Sequence, residues 1–194
     1  MQVNPELDQL LYDRFGVTTE AFLAALRALP PLQQPRAAAL TDAEAHLLDR
    51  ADFTEDYEVL ASVGIGTAGS AARLGVTAFT VNEVAVGLGV SVSRIRQKRL
   101  AKELWAINVA DQWLYPALQF ETGPDGPVRQ VPGLNKVFQA LPAGLHPVAV
   151  AGFLSTQQPA LFRGRPMTPL QWLREGGAVH DVVAAAACID WSAT

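Results

Sequence analysis

The 194-residue chain is 49% hydrophobic and 18% charged, and its net charge is −4. This composition excludes wholesale disorder and favours a chain that buries a core. Apolar runs fall short of the roughly 18 residues of a membrane helix, the N-terminal sequence lacks the pattern of a secretory signal, and the single cysteine, Cys188, excludes an internal disulfide. We therefore expect a cytoplasmic protein that does not enter a membrane.

The first 75 residues are expected to form a helical N-terminal region. Leucines and other apolar side chains recur at helical spacing over residues 5–14 and again over 19–29. Residues 41–44, T-D-A-E, have the pattern of a capping box, which predicts a short helix to about Arg50. The two leucine-rich helices are candidate contacts of a homodimer.

Residues 64–69, G-I-G-T-A-G, match the glycine spacing of a dinucleotide-binding turn. Such a turn needs a buried strand before it and a crossover helix after it. Acidic residues crowd the preceding segment and the following one is too short, so we interpret the string as a helix weakened by glycines or packed closely on another helix. The histidines, His46, His146 and His180, are scattered without metal-ligand spacing. We therefore predict no enzyme, no cofactor and no metal, with an NAD-binding enzyme as a distant rival.

The segment 80–100 carries the sequence features of a helix-turn-helix. Thr80 and Glu83 have capping-box spacing, Gly89 suits a tight turn between helices, and Ser91 suits the start of a second helix. Four apolar residues can meet in one small core: Val84, Leu88, Val90 and Ile95.

Five of the 15 basic residues lie between Arg94 and Lys102. A phosphate backbone responds at short range to such clustering rather than to the total charge. We therefore predict that the second helix enters the major groove of operator DNA, the alternative being a solvated basic helix end. A dimer is expected because one short helix reads few base pairs. The predicted DNA-binding residues are Ser91, Ser93, Arg94, Arg96, Gln97, Lys98, Arg99 and Lys102.

The rest of the chain predicts a hairpin and then further helices. Residues 104–120 have apolar side chains on both sides of a polar break, A-D-Q at 110–112. They are expected to form a β-hairpin that braces the helices as a wing. The stretch 121–127, E-T-G-P-D-G-P, is expected to separate a DNA-binding module at 76–120 from a helical domain at 128–194. Helices are predicted in that domain at 133–140, 146–155, 169–175 and 179–188. The fold class expected is mainly α, with a small β-hairpin wing.

A pattern in the C-terminal part reads P-x-L, then glycine, then T-P-L-x-x-L and a second glycine. This stretch, residues 153–177, resembles the toxin-binding domain of the Xre/MbcA/ParS antitoxin family. The motifs W-x-Y-P-A-x-Q-F at 113–120 and V-P-G-L at 131–134 extend the resemblance over roughly residues 80–190. The matching positions of the main pattern are Pro159, Leu161, Gly164, Thr168, Pro169, Leu170, Leu173 and Gly176.

The resemblance implies a type II antitoxin that covers the active site of a RES-domain, NAD-consuming toxin and represses its own operon. The chain departs from the family pattern at Gln158, where asparagine is usual, and at Phe162-Arg163, where glycine is expected. The apolar tail 182–191 either packs on its own domain or enters a groove of the partner. A stand-alone helix-turn-helix regulator and a pure interaction protein are the alternatives. The expected toxin-binding residues are Pro159, Leu161, Arg163, Arg165, Trp172, Arg174 and Trp191.

Overall fold

The computed structural model describes residues 5–29, 41–50, 57–124 and 126–189. Its secondary structure is mainly helical with small antiparallel sheets, so the expected mainly α class is confirmed. The chain divides into two compact units, Met1–Arg73 and Leu74–Thr194. The modules expected at 76–120 and 128–194 thus lie in one unit.

The first unit is built from helices. Thr18 starts the second of them by accepting a hydrogen bond from the Ala21 N–H at 3.3 Å. The capping box expected at the third helix is present, because the Thr41 N–H donates to Glu44 at 2.8 Å and the Glu44 N–H donates to Thr41 at 3.4 Å. The helices are α1 (Pro5–Phe15), α2 (Thr19–Ala28), α3 (Asp42–Arg50) and α4 (Tyr57–Val76), the last of which runs past the unit boundary.

The glycine string 64–69 lies inside α4. Ala68 and Gly69 are buried, and a Cβ atom on Gly69 would overlap the ring of Phe15 in α1. The glycine therefore lets the two helices approach closely. The prediction of a glycine-containing helix packed against another helix is confirmed.

The second unit begins with a helix pair on a three-stranded sheet. Ala110 and Asp111 both have positive φ angles, 48° and 63°, which is the geometry of the two-residue hairpin turn whose twist matches antiparallel strands. The predicted hairpin is therefore present, and a strand before the helices joins it to give the order β1-β3-β2. The elements are β1 (Phe79–Thr80), α5 (Val81–Gly87), α6 (Val92–Leu100), β2 (Ile107–Val109) and β3 (Gln112–Tyr115).

The stretch expected to separate two domains is a second hairpin instead. After a short 3-10 helix, Ala117–Gln119, strands β4 (Phe120–Gly123) and β5 (Gly126–Gln130) pair antiparallel. A Cβ atom on Gly87, at the end of α5, would overlap the backbone of Pro127. This hairpin is therefore packed against the first helix of the pair rather than serving as a linker, which corrects the expectation for 121–127.

The four helices expected in the C-terminal part are confirmed to within one residue at each end. The helix at 169 begins with a capping box, in which the Gln171 N–H and the Thr168 N–H each donate to the other residue's side chain at 3.1 Å. A hairpin that the sequence did not predict lies before it. The elements are α7 (Leu134–Ala140), α8 (Pro147–Ser155), β6 (Gln158–Phe162), β7 (Pro166–Met167), α9 (Pro169–Arg174) and α10 (Val179–Ala187).

Helix α10 packs on its own domain. Val182, Ala185 and Ala186 are buried in the core formed by the C-terminal helices, and Val183 and Ile189 pack against its edge. Of the two alternatives for the apolar tail, the structure therefore supports packing on its own domain for residues 179–189. Trp191 lies outside the described residues.

Candidate nucleic-acid interface

The start of α5 is fixed by a capping box between Thr80 and Glu83. The Thr80 N–H donates to the Glu83 carboxylate at 2.7 Å, and the Glu83 N–H donates to the Thr80 hydroxyl oxygen at 3.3 Å. The hydrogen bond from the Thr80 backbone, followed by that from its hydroxyl, lowers the pKa of Glu83 below its ordinary value. The predicted cap is confirmed, and it keeps Glu83 charged at the positive end of the helix dipole.

The turn between α5 and α6 has the geometry that the sequence predicted. Gly89 has a φ of +63°, and the N–H of Val90 donates across the turn to the Ala85 carbonyl at 3.0 Å. Ser91 then caps α6, its hydroxyl accepting from the Arg94 N–H at 3.2 Å. Ala85 is buried, where a larger side chain would push the two helices apart.

The helix pair rests on a small core of its own. Val84 and Ile95 are completely buried, and they pack with Leu104, Tyr115 and Phe120 from the segments that follow. Because both helices are capped and both face this core, their packing on it determines which side of α6 is exposed.

The exposed side of α6 carries most of the predicted DNA-binding residues. At 100° per residue, Ser93 and Gln97 lie opposite the buried Ile95, with Arg94 on one side of them and Arg96 on the other. All four of these polar side chains are exposed, as are those of Ser91 and Lys102. The Arg94 guanidinium donates from Nη1 to the Oε1 of Gln97 at 3.3 Å.

Lys98 forms a partly buried salt bridge with another residue of the chain. Its Nζ lies 2.7 Å from the carboxylate of Glu103, and both side chains are about one-quarter exposed, at 27% and 29%. The hydrogen bond from Lys98, reinforced by its charge, lowers the pKa of Glu103. This pairing ties the chain leaving α6 back to the helix, and it offsets the charge that Lys98 was expected to offer to DNA.

Arg99 is likewise turned toward the sheet. Its guanidinium carbon lies 4.0 Å from the centroid of the Trp113 ring in β3, a cation–π geometry. The same guanidinium is near the buried Tyr115, whose pKa is raised by burial, a shift that the positive charges of Arg99 and Arg96 oppose. Arg99 therefore joins α6 to the hairpin, and in this role it braces the helix instead of extending toward a ligand.

Only some of the predicted toxin-binding residues are exposed. Leu161 is fully buried in the C-terminal core, so its assignment as a partner contact is wrong. Trp172 is half-buried, and its indole N–H donates to the Ala178 carbonyl at 3.1 Å. The indole is therefore tied to its own domain. Pro159 and Arg174 are exposed, as expected of contact residues.

Two arginines of the β6–β7 hairpin converge on Glu175 at the end of α9. Arg163 donates to the Glu175 carbonyl at 3.0 Å and lies 5.1 Å from the Trp172 ring centroid. Arg165 lies 3.7 Å from the Glu175 carboxylate. Both are exposed, and Phe162 beside them is 59% exposed, a residue that sequence reasoning did not place in the site.

Three glutamine side chains that the sequence did not single out form hydrogen bonds to the backbone just after α6. Gln119, Gln130 and Gln139 donate to the carbonyls of residues 105, 103 and 101 respectively, at 2.7, 2.7 and 3.2 Å. Sequence separations of 14 to 38 residues give no local signal for such bonds.

Comparisons with protein-family models, curated protein sequences and solved structures gave no match to this chain. The resemblance to the antitoxin family therefore depends only on the sequence motifs at 113–120, 131–134 and 153–177. Within the described ranges, no three histidine, cysteine or acidic side chains are grouped as metal ligands. The helices in those ranges also lack the combination of length and apolarity needed to cross a bilayer.

Proposed function

We propose that α5 and α6 are a helix-turn-helix that binds operator DNA, and that the protein is the antitoxin of a type II toxin–antitoxin system. The observation that carries the DNA-binding part is the exposed face of α6, where Ser93 and Gln97 stand between Arg94 and Arg96. The toxin partner is proposed on the family resemblance, with weaker support from the C-terminal surface.

The dimensions of α6 support insertion into a major groove. An α-helix with its side chains is about 10–12 Å across, which fits a major groove about 12 Å wide. The central polar side chains can reach base edges while the flanking arginines bind either bases or phosphates. Lys102, just beyond the helix, is a further exposed cation for the backbone.

The contact set proposed is smaller than the sequence predicted. Lys98 and Arg99 hold α6 in place through Glu103 and Trp113, so we assign them to positioning. The proposed phosphate and base contacts are Ser91, Ser93, Arg94, Arg96, Gln97 and Lys102. Two copies of the chain would then bind two half-sites, because one helix of this length reads few base pairs.

The C-terminal part is the proposed toxin-binding module. With α10 packed on its own core, the surface that we propose for a partner is the exposed β6–β7 hairpin, where Phe162 stands beside Arg163 and Arg165. The exposed pair of Arg165 with Glu175 contributes little to stability, so Arg165 can exchange that partner for an acidic group on a RES-domain toxin. We propose that the protein acts in the cytoplasm, where it would meet both proposed partners.

DNA binding is tested on the promoter upstream of the protein's own reading frame. Arg94→Ala/Arg96→Ala is expected to weaken binding and to lower the salt dependence, since each lost phosphate contact reduces the slope of log K against log salt by about 0.9. The matched control is Arg163→Ala/Arg174→Ala, which removes two exposed arginines from the other surface. Equal affinity and slope in wild type and the α6 variant would remove the DNA-binding proposal.

The toxin partner is tested with the product of the adjacent reading frame. The proposal expects that product to consume NAD and arrest growth when made alone, and to be neutralised when both chains are made together. Binding to promoter DNA without any complex with that product would favour the stand-alone regulator, an alternative that the burial of Leu161 and α10 supports.

A further inference from the structure

One face of α2 carries a charge pattern that is complementary to itself. The residues of this face follow the i, i+3, i+4 and i+7 spacing of neighbours on a helix: Glu20, Leu23, Ala24 and Arg27. Leu23 is half-buried and the other three are exposed. The two charged residues are about 10 Å apart along the helix axis, too far to form an ion pair with each other. Within the described ranges, neither of them has another ion-pair partner.

This face borders an open groove between α1 and α2. The groove has a volume of about 820 Å³, and its lining includes Leu23 and Arg27 from α2 and Asp8 and Tyr12 from α1. Tyr12 is 66% exposed, so a large aromatic side chain is left in contact with water. Aromatic residues are enriched in the contact surfaces of proteins. A helix placed over the groove would therefore bury the ring of Tyr12 together with Leu23.

A second copy of α2, lying antiparallel, matches this face. If a two-fold axis passes between Leu23 and Ala24, Glu20 of each copy lies opposite Arg27 of the other copy. Such an arrangement is the rule for a two-fold contact, in which each interaction occurs twice. The small side chain of Ala24 leaves room for Leu23 of the other copy. A parallel arrangement would instead set each charge against its like, which is repulsive.

We propose that the protein forms a two-fold symmetric dimer through α2, with α1 of each copy flanking the contact. The occupant of the groove is thus a second copy of this chain. Exposed ion pairs contribute little to affinity, so burial of Tyr12 and Leu23 supplies the attraction, and the Glu20–Arg27 pairs select the antiparallel register. The inference rests on the proposed function only in that two half-sites require two copies of the chain.

The experiment measures self-association of the full-length protein by sedimentation equilibrium in the absence of DNA. Glu20→Arg and Arg27→Glu each place like charges opposite one another twice, so each is expected to weaken the dimer roughly tenfold or more. The double variant Glu20→Arg/Arg27→Glu restores both pairs with their signs exchanged. Its dimer is expected to be within about threefold of wild type, because the two substitutions compensate each other.

The matched control is Arg14→Glu, which reverses an exposed charge on α1. At 100° per residue, Arg14 lies on the other side of α1 from Asp8 and Tyr12, beside the exposed Leu7 and Leu10. This variant is expected to dimerise like wild type. Circular dichroism and thermal melting show that each variant is folded, which is expected because the replaced side chains are exposed.

A disulfide tests the register directly. The background is Cys188→Ser, which removes the single cysteine of the chain. Ala24→Cys places the two thiols beside the two-fold axis, where oxidation is expected to link the copies covalently. Ala28→Cys, at another exposed position of the same helix, separates the thiols by roughly 13 Å along the axis. No covalent dimer is expected from it.

Three results would overturn the inference. A wild type that stays monomeric at every concentration would remove the dimer. A dimer weakened by Arg14→Glu and not by the α2 variants would move the contact to the other side of α1. A double variant as weak as the single ones would remove the pairing of Glu20 with Arg27. A dimer that responds as expected but binds no promoter DNA would support this interface while removing the proposed DNA binding.

Discussion

Gln119 and Trp105 are joined by two hydrogen bonds in the interior of the second unit. The Trp105 N–H donates to Gln119 Oε1 at 3.0 Å, and Gln119 Nε2 donates to the Trp105 carbonyl at 2.7 Å. Gln119 is fully buried, and its second amide hydrogen is directed to the Pro116 carbonyl at 3.2 Å. The Trp105 ring meanwhile contacts Phe138 of α7, with centroids 6.2 Å apart. The pair thus connects the core beneath α6 to the C-terminal core.

Replacing Gln119 by leucine is expected to destabilise the protein. The apolar side chain fits the volume but leaves the Trp105 N–H and carbonyl without partners in the interior, at a cost of about 2–4 kcal/mol. The free energy of unfolding is measured by urea denaturation. The control is Gln139→Ala, which removes an exposed bond and should cost less than about 1 kcal/mol. Equal losses in the two variants would contradict the role given to Gln119.

Arg99 and Arg94 are expected to behave differently although both are arginines of α6. Arg99→Ala removes the cation–π contact with Trp113, so it should lower thermal stability, with a contact of this kind contributing about 0.5–2 kcal/mol. Arg94→Ala removes an exposed charge, so it should leave the melting temperature nearly unchanged and reduce the salt slope of DNA binding by about 0.9. Thermal melting and binding titrations at several salt concentrations make the comparison. Exchange of these two phenotypes would show that Arg99, and not Arg94, faces DNA.

His146 is expected to make stability depend on pH near neutrality. Its Nδ1 accepts from the Val148 N–H at 3.3 Å as the cap of α8, and burial lowers the pKa of His146 below its ordinary 6.5. As the pH falls below about 6.5 the unfolded chain takes up a proton before the folded one does. The free energy of unfolding should therefore be constant above that pH and decrease below it.

The measurement is urea denaturation of wild type and His146→Asn from pH 7.5 to 5.5. Asparagine also caps helices but does not titrate, so the difference between the two proteins isolates His146 from His46 and His180. This window also lies above the ordinary carboxyl pKa of 4.5, so the paired glutamates remain charged. Parallel pH profiles for the two proteins would rule out the proposed contribution of His146.

The glycines of α4 are expected to divide into two kinds. Gly69→Ala should destabilise the first unit by about 1–3 kcal/mol, because its methyl group must displace the Phe15 ring. Gly64→Ala meets open space in the same helix and should stabilise it by about 0.5–1 kcal/mol, the gain in helix propensity. Thermal melting of both variants tests the pair. Stabilisation by both substitutions would mean that α1 and α4 do not approach at Gly69.

Local signals predicted the helix pair well because its ends are determined within four residues. The Thr80–Glu83 box, the left-handed Gly89 and the Ser91 cap each depend on side chains next to the turn they form. The polar residues at 110–112 predicted the hairpin turn. Its two central residues, Ala110 and Asp111, have positive φ angles although neither is glycine, the residue most common at such angles.

Contacts between distant segments were not predictable in the same way. The pairing of β1 with β3 joins residues 34 and 36 positions apart, and nothing in the two-residue strand Phe79–Thr80 indicates it. Likewise, aromatic composition suggested Trp172 as a partner contact, whereas its indole is tied to Ala178 and Arg163 by the fold. Whether a side chain is exposed depends on tertiary packing. Only the structure could therefore show which of the predicted contact residues are free to meet a partner.

The contact between Gly87 and Pro127 means that these two positions cannot be redesigned one at a time. Forty residues apart in the chain, they share a single gap between the end of α5 and a hairpin backbone, and that gap has no room for a β-carbon. Any effort to graft α5 and α6 onto another scaffold, or to shorten the β4–β5 loop, must carry both partners along or rebuild the surface where they touch.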